Sequence, residues 1–214
     1  RFVSAKYWPA MDAYNKAIEL KSIDADYAAY QKAISYGFVA RNDRKIEDLN
    51  KFLEQFPKSN YRDDVMFELG NTYIAENKTD LGLKNYDKLV AEFKNGNYSS
   101  KAILRQGLVY YNAEKDNDAL AKFKKVAADY PQSAEALEAV ATARLIYMDA
   151  GRVNDYAAWV KTLAFVEVTD VDLDNDTYKS AEKKYLQNET KAAIAALSSY
   201  ISSFPNGIHA LKAN

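Results

Sequence analysis

The sequence predicts an all-α fold: a right-handed solenoid of about five antiparallel helix pairs, with a partial unit at each end. The first observation behind this prediction is a fixed period, because tyrosine recurs every 37 residues at Tyr36, Tyr73, Tyr110 and Tyr147. A second aromatic series has the same spacing and continues two steps further on, at Phe56, Phe93, Tyr130 and Phe204. Periods between about 20 and 50 residues are typical of stacked-repeat proteins.

The composition is the second observation. The chain has 214 residues, of which 48% are hydrophobic and 28% charged, values typical of a folded globular protein. It contains only four Pro and seven Gly, the two residues that helix interiors tolerate least. Alternation of polar and apolar residues, which would indicate strands, is scarce. Composition therefore favours helices.

The third observation is that other residue types repeat in the same 37-residue frame. Three residues before the tyrosine is a position for small residues, occupied by Ala33, Gly70, Gly107, Arg144 and Ala181. A second helix repeats large apolar residues at Leu49, Tyr86, Phe123, Val160 and Leu197. Proline follows the aromatic residue that closes this helix at Pro57, Pro131 and Pro205, where a helix must end. Each repeat is thus predicted to be a helix–turn–helix unit in which a small residue lets the neighbouring helix approach closely.

Residues suited to helix starts recur in two places. One set follows the aromatic residue: Ser59, Gly96, Ser133, Asp170 and Gly207. The other set is predicted to cap the second helix of each pair: Asp43, Asp80, Asn117 and Asn154. Together the patterns predict helices over 9–20, 26–40, 44–56, 61–76, 81–94, 100–113, 118–130, 134–149, 155–167, 175–187 and 191–203.

These residues resemble the tetratricopeptide repeat, a family of antiparallel helix pairs. The segment from Lys101 to Pro131 fits best, with the family's residue types at Gly107, Tyr110, Ala119, Phe123 and Pro131. The endings Phe56-Pro57-Lys58-Ser59 and Tyr130-Pro131-Gln132-Ser133 are similar to the long repeats of Gram-negative envelope proteins. Examples are the lipoprotein of the outer-membrane β-barrel assembly machine and the Tol–Pal-associated coordinator of envelope constriction. The resemblance implies a scaffold that binds proteins on the concave face lined by first helices.

The pattern is interrupted once, between Phe165 and Asp176. We therefore expect an array over 1–168, then a last helix pair and the start of a further repeat over 169–214, with a possible bend near 165–176. The first residue is Arg1 and no signal-peptide pattern precedes the repeats. The chain is therefore interpreted as a fragment of a longer repeat protein, with its targeting segment outside it.

Several function classes are not supported. The net charge is −1, with charges of both signs scattered, so no footprint for nucleic acid is visible. No apolar run approaches the ~18 residues of a membrane helix. There is no Cys, a single histidine (His209) and no Gly-rich phosphate loop. We expect no enzyme activity, no cofactor and no metal.

The acidic run from Asp170 to Asp176 has one alternative reading. Carboxylates at alternating positions imitate the start of a calcium loop. However, Asn175 stands where the turn needs Gly, and Ala181 where a bidentate Glu is needed. The favoured interpretation is a solvated acidic junction that caps a helix beginning near Asp176.

Seventeen tyrosines and two tryptophans leave two functions open. Ten tyrosines fall in repeat positions and are assigned to packing: Tyr30, Tyr36, Tyr73, Tyr86, Tyr110, Tyr130, Tyr147, Tyr156, Tyr178 and Tyr200. Other aromatics remain as candidates for exposed contacts: Tyr27, Tyr98, Tyr111, Tyr185, Trp8 and Trp159. The alternative function is a glycan- or peptide-binding envelope lipoprotein that uses these spare aromatics.

The first hypothesis is a non-enzymatic scaffold for protein–protein interaction, periplasmic or associated with the outer membrane. Its partner would be a protein or peptide bound on the concave face. The predicted contact residues are Tyr27, Phe67, Asn71, Lys101, Arg105 and Tyr111.

Overall fold

The computed structural model describes residues 6–214, and every regular element within that range is an α-helix. The helices are α1 (Tyr7–Glu19), α2 (Ala25–Phe38), α3 (Asn42–Gln55), α4 (Arg62–Ala75), α5 (Thr79–Glu92), α6 (Ser99–Asn112), α7 (Asp116–Asp129), α8 (Ala134–Asp149), α9 (Val153–Val160), α10 (Asp170–Leu186), α11 (Thr190–Ser203) and α12 (Ala210–Ala213). Helices α2, α4, α6, α8 and α10 are the first helices of successive pairs. The predicted fold class, an α-solenoid of helix pairs, is confirmed. Within the described range, no helix has the length and apolar character needed to cross a bilayer.

All eleven predicted helices are present, and the largest differences lie at the interruption in the pattern. Helix α9 ends at Val160 instead of 167, where the hydroxyl of Thr162 donates to the carbonyl of Trp159 at 2.6 Å. Helix α10 begins at Asp170 instead of 175. It begins there because Thr169 forms a capping box: its hydroxyl accepts from the N–H of Asp172 at 3.1 Å, and Asp172 Oδ2 accepts from the N–H of Thr169 at 3.0 Å.

The predicted caps of the second helices are wrong by two positions in each case. The residues at the N-caps are Arg41, Lys78, Lys115 and Arg152, and none makes a side-chain cap hydrogen bond. Asp43, Asp80, Asn117 and Asn154 lie inside the first turn instead. The carboxylates of Asp43 and Asp80 still stabilise their helices there, through the helix dipole rather than as caps.

The caps of the first helices are confirmed only in part. Ser133 caps α8, since its hydroxyl accepts from the N–H of Ala136 at 3.1 Å. Ser59 accepts from the N–H of Tyr61 at 3.1 Å just before α4. Asp170 is the first residue of α10 rather than its cap, while Gly96 and Gly207 precede α6 and α12 by three residues.

The turn inside each pair contains a residue in the left-handed region, and these residues also recur every 37 positions. They are Ala40 (φ 56°), Asn77 (φ 58°), Glu114 (φ 56°), Gly151 (φ 69°) and Asn188 (φ 61°). This conformation closes a helix C-terminus and favours Gly or Asn. Because only some copies carry the favoured types, the repeat was not visible in the sequence.

The described residues form two compact units that divide within α6 after Ile103. The core of unit 1 contains two buried clusters: Ala33, Leu49, Phe52, Val65 and Leu69, then Met66, Tyr86, Leu89 and Ala102. Unit 2 buries Phe123 and Val126 of α7 completely, and it packs Val153, Ala157 and Leu173 together. Near its end, Tyr178, Tyr200 and Ala213 form another cluster.

The small-residue position works as predicted. A Cβ at Gly70 would overlap the ring of Tyr86, and a Cβ at Gly107 would stand 2.5 Å from Cε1 of Phe123. Both rings belong to the second helix of the same pair and are buried. The missing side chain therefore gives the aromatic ring its space.

Candidate functional site

Aromatic rings from consecutive first helices of unit 1 lie against one another. The ring of Tyr61, just before α4, lies 5.9 Å from Tyr30 and 5.6 Å from Tyr27, both on α2. One repeat later, Tyr98 lies 4.9 Å from Phe67 of α4. Tyr27 is 42% exposed and the other four rings are half-buried. The result is a row of rings that a partner can reach.

Two carboxylates at the start of α4 lie beside this row. Asp64 Oδ1 accepts a hydrogen bond from the hydroxyl of Tyr98 at 2.7 Å. Asp63 Oδ1 accepts from the N–H of Asp64 at 3.0 Å. We call Tyr27, Tyr30, Tyr61, Asp63, Asp64, Phe67 and Tyr98 the aromatic–acidic surface.

The pKa values of this surface reflect burial and negative charge. Burial raises the pKa of Asp64, and the neighbouring charge of Asp63 raises it further. Burial also raises the pKa of Tyr98, and its hydrogen bond to Asp64 adds to the shift. The pKa of Tyr30 is raised by burial and by the charges of Asp64, Glu68 and Asp63. Both phenols therefore stay neutral next to ionisable carboxylates, and Tyr98 donates to one of them.

Four of the six predicted contact residues lie in unit 1. Tyr27 and Phe67 are part of the aromatic–acidic surface. Lys101 is exposed, and its Nζ lies 4.9 Å from the ring centre of Tyr98. Asn71 is half-buried and accepts from the hydroxyl of Tyr86 at 2.7 Å, so it holds the helix pair together.

The other two predicted residues, Arg105 and Tyr111, follow Ile103 on α6 and belong to unit 2. Arg105 is exposed and Tyr111 is half-buried.

Sequence reasoning missed Tyr61, Asp63 and Asp64. A signal was present, because Tyr61 and Tyr98 are themselves 37 residues apart, as are Asp26 and Asp63. These positions precede or open a first helix, and the repeat pattern assigned them no role in binding.

Unit 2 contains a separate groove of about 620 Å³ between α8 and α10. Its apolar wall includes Leu145, which is 52% exposed, and Met148. Its floor holds an ion pair in which Arg144 donates from Nε to Asp176 Oδ2 at 2.7 Å and from Nη2 to Oδ1 at 2.6 Å. This hydrogen bonding raises the pKa of Arg144.

The acidic run is not a solvated junction or a calcium loop, because it forms the first turns of α10. Asp172 closes the capping box, and Asp176 is buried against Arg144. Asp174 is buried as well and accepts from the hydroxyl of Tyr200 at 2.5 Å and from the N–H of Ile208 at 2.8 Å. In residues 6–214, no group of three or more His, Cys, Asp or Glu side chains is placed to hold a metal.

Comparison with known proteins agrees with this geometry. Residues 101–133 match the tetratricopeptide-repeat family model. No curated protein sequence matches the chain. The segment 101–133 is thus a tetratricopeptide repeat, as its sequence predicted.

Solved structures extend the likeness to the fold of nearly the whole chain. MamA is similar with a TM-score of 0.57 and 16% identity, over 84% of this chain and 94% of MamA. PilW, described as a widely conserved type IV pilus biogenesis factor, gives a TM-score of 0.54 and 20% identity, over 97% of this chain and 90% of PilW. YrrB, described as a tetratricopeptide-repeat protein with an unusual peptide-binding site, gives a TM-score of 0.53 and 16% identity, over 95% of this chain and 98% of YrrB. The chain therefore shares the helix-pair fold of these proteins.

Proposed function

We propose that this protein is a non-enzymatic scaffold that binds a protein or peptide partner through the first-helix side of unit 1. The observation that carries the proposal is the row of accessible rings formed by Tyr27, Tyr30, Tyr61, Phe67 and Tyr98. Tyrosine and other aromatic residues are enriched where proteins bind one another, because they bury a large area while a polar tip still finds a partner. YrrB, which is similar in fold, is described as having a peptide-binding site, and this supports a peptide or protein partner.

Among the predicted contacts, Tyr27, Phe67 and Lys101 would touch the partner directly. Asn71 supports the surface from behind, through Tyr86. Arg105 and Tyr111 belong to unit 2 and are not part of the proposed surface.

The ring geometry favours a protein over a glycan. Sugars stack on open ring faces, but Tyr98 has Phe67 on one side and Lys101 nearby. Trp159 is also engaged, since Tyr147 and Tyr156 each lie 6.3 Å from it and Lys124 lies 5.6 Å from its ring.

We further propose that the protein acts in the bacterial cell envelope, in the periplasm or at the outer membrane. The Phe/Tyr-Pro-x-Ser endings resemble those of envelope proteins, and PilW, a pilus biogenesis factor, is similar in fold.

Site-directed photo-crosslinking tests the function. A benzophenone amino acid replaces Tyr27 on the surface, or Leu81 on α5 as a control that is 50% exposed. With envelope extract from the source organism, the Tyr27 probe should give one saturable adduct that excess unlabelled chain competes away. An adduct from the Leu81 probe alone, or equal labelling from both positions, would contradict the proposal.

A further inference from the structure

The carboxylates of the aromatic–acidic surface lack a cation. Asp63 and Asp64 accept only from neutral donors, as does Asp26, which accepts from the hydroxyl of Ser59 at 2.7 Å and from the N–H of Tyr27 at 2.8 Å. Among the described residues, none of the three forms an ion pair. The start of α4 therefore carries two adjacent negative charges without a matching positive charge.

Lys101 lies over a ring of this surface and forms no ion pair with its carboxylates, and two other cations, on α3 and α4, are engaged elsewhere. Lys45 pairs with Glu68 at 2.8 Å. Arg62, next to Asp63 in sequence, turns away to Glu92 at 2.8 Å. Burial raises the pKa values of Asp64 and Tyr30, and the charges of neighbouring carboxylates raise both further.

The rings beside these carboxylates suit a cation. A cation within about 6 Å of a tyrosine ring centre is attracted by the negative face of the ring. The molecule itself already shows this contact, because Lys101 Nζ lies 4.9 Å from the ring centre of Tyr98. The stem of an arginine or lysine would lie along the rings of Tyr27 and Tyr61, with its charged end at the carboxylates.

Building on the proposed function, we propose that the partner presents a basic segment, and that an arginine or lysine of this segment binds at Asp63 and Asp64 with its stem on the tyrosine rings. Arginine suits the place best, because its planar guanidinium donates to two acceptors and stacks on aromatic faces. The surface thus selects among protein partners by charge.

A peptide pair tests this directly. The probe is an acetylated and amidated decapeptide of alternating Gly and Arg, and its control carries citrulline, a neutral isostere, in place of each Arg. Calorimetric titration at physiological salt should show that the citrulline peptide binds about tenfold more weakly or not at all. Equal affinity for the two peptides would overturn the proposal.

Variants separate the site from the overall charge. Asp63→Asn/Asp64→Asn removes two charges, yet the amide oxygen at 64 can still accept from Tyr98. Glu54→Gln/Asp80→Asn removes two exposed charges from α3 and α5. We expect about tenfold weaker binding of the arginine peptide for the first variant and no change for the second. Equal losses, or no loss in either, would contradict the proposal, and circular dichroism melts confirm that both variants fold.

The same variants distinguish the basic-segment inference from the proposed scaffold function. If the Tyr27 probe still captures its partner with Asp63→Asn/Asp64→Asn and unchanged competition, the scaffold function stands and the basic segment is refuted. If the unaltered chain captures nothing through Tyr27, the scaffold function itself fails.

Discussion

The imidazole of His209 stacks on the ring of Tyr178 with the two ring centres 4.2 Å apart. The two residues are 31 positions apart in sequence, as are Tyr61 and Tyr30, and Tyr98 and Phe67, which also pair. In each case the ring of the residue just before a first helix packs against a ring on the preceding first helix of the same unit. The repeat thus includes a stacking position as well as a core.

Two copies of this position differ. They carry Leu104 with Glu135, and Ala141 with Asp172, so neither can form a ring pair. Asp172 has instead become part of a capping box. The aromatic surface is therefore concentrated in unit 1, where the candidate site lies.

Substitution of Gly107 tests the packing of small residues against aromatic rings. Gly107→Ala places a Cβ about 2.5 Å from Phe123, a ring that is fully buried and cannot move aside. We expect a loss of about 1–3 kcal/mol in the free energy of unfolding, measured with urea. The matched control is Gly37→Ala, whose Cβ would meet only the flexible side chain of Lys45 at 3.2 Å. Equal stability of the two variants would refute the assigned role of Gly107.

The left-handed turn residues predict a stabilising substitution. Glu114 adopts φ 56°, a conformation that glycine adopts at no steric cost. We expect Glu114→Gly to raise the free energy of unfolding by about 1 kcal/mol. The converse change, Gly151→Ala at φ 69°, should lower it by a similar amount. If both changes shift the melting temperature in the same direction, the turn geometry is wrong.

The carboxylate of Asp174 is buried and accepts two hydrogen bonds, so we expect that asparagine at this position destabilises the fold. Asn at 174 can accept from either Tyr200 or Ile208 but would turn its NH₂ group toward the other donor. We expect Asp174→Asn to cost about 1–3 kcal/mol in urea unfolding. Asp170→Asn, at an exposed position in the first turn of α10, should cost only a few tenths of a kcal/mol. Equal stability of the Asp174→Asn and Asp170→Asn variants would contradict the buried position of Asp174.

The phenol of Tyr98 gives a prediction for pH dependence. Burial and its bond to Asp64 raise its pKa above 10.0, so the folded state keeps a proton that the unfolded state loses. This contribution to stability is complete below pH 10.0 and is lost as the pH rises through the folded pKa. Asp64→Asn should lower the pKa of Tyr98, followed by NMR of ¹³C-labelled tyrosine, and Asp80→Asn should not. If the pKa of Tyr98 is unchanged in the Asp64→Asn variant, the hydrogen bond between the two residues is contradicted.

The fold was predictable from sequence because its core is periodic. Every helix of 13 residues or more was expected, since small residues, large apolar residues and prolines recur together at one spacing. What failed depends on tertiary partners that no local pattern reveals. Asp172, Asp174 and Asp176 imitate a loop, yet each has a different partner, and these contacts make the segment helical.

The candidate site was predictable only in part, for a related reason. Tyr27 and Phe67 were identified because they lie on predicted first helices, and because Tyr27 is an aromatic residue outside the packing positions. Tyr61 and Asp63 were missed because they flank a helix start, and their role depends on the preceding helix folding back beside them.

The most direct test of the central claim is hydroxyl-radical footprinting of the protein with its captured partner. The scaffold account predicts that oxidation of Tyr27 and Tyr61 falls when the partner binds, while Tyr185, which is 66% exposed on α10, is oxidised as before. Protection confined to Tyr185 or to the second helices, with Tyr27 and Tyr61 unchanged, would contradict it.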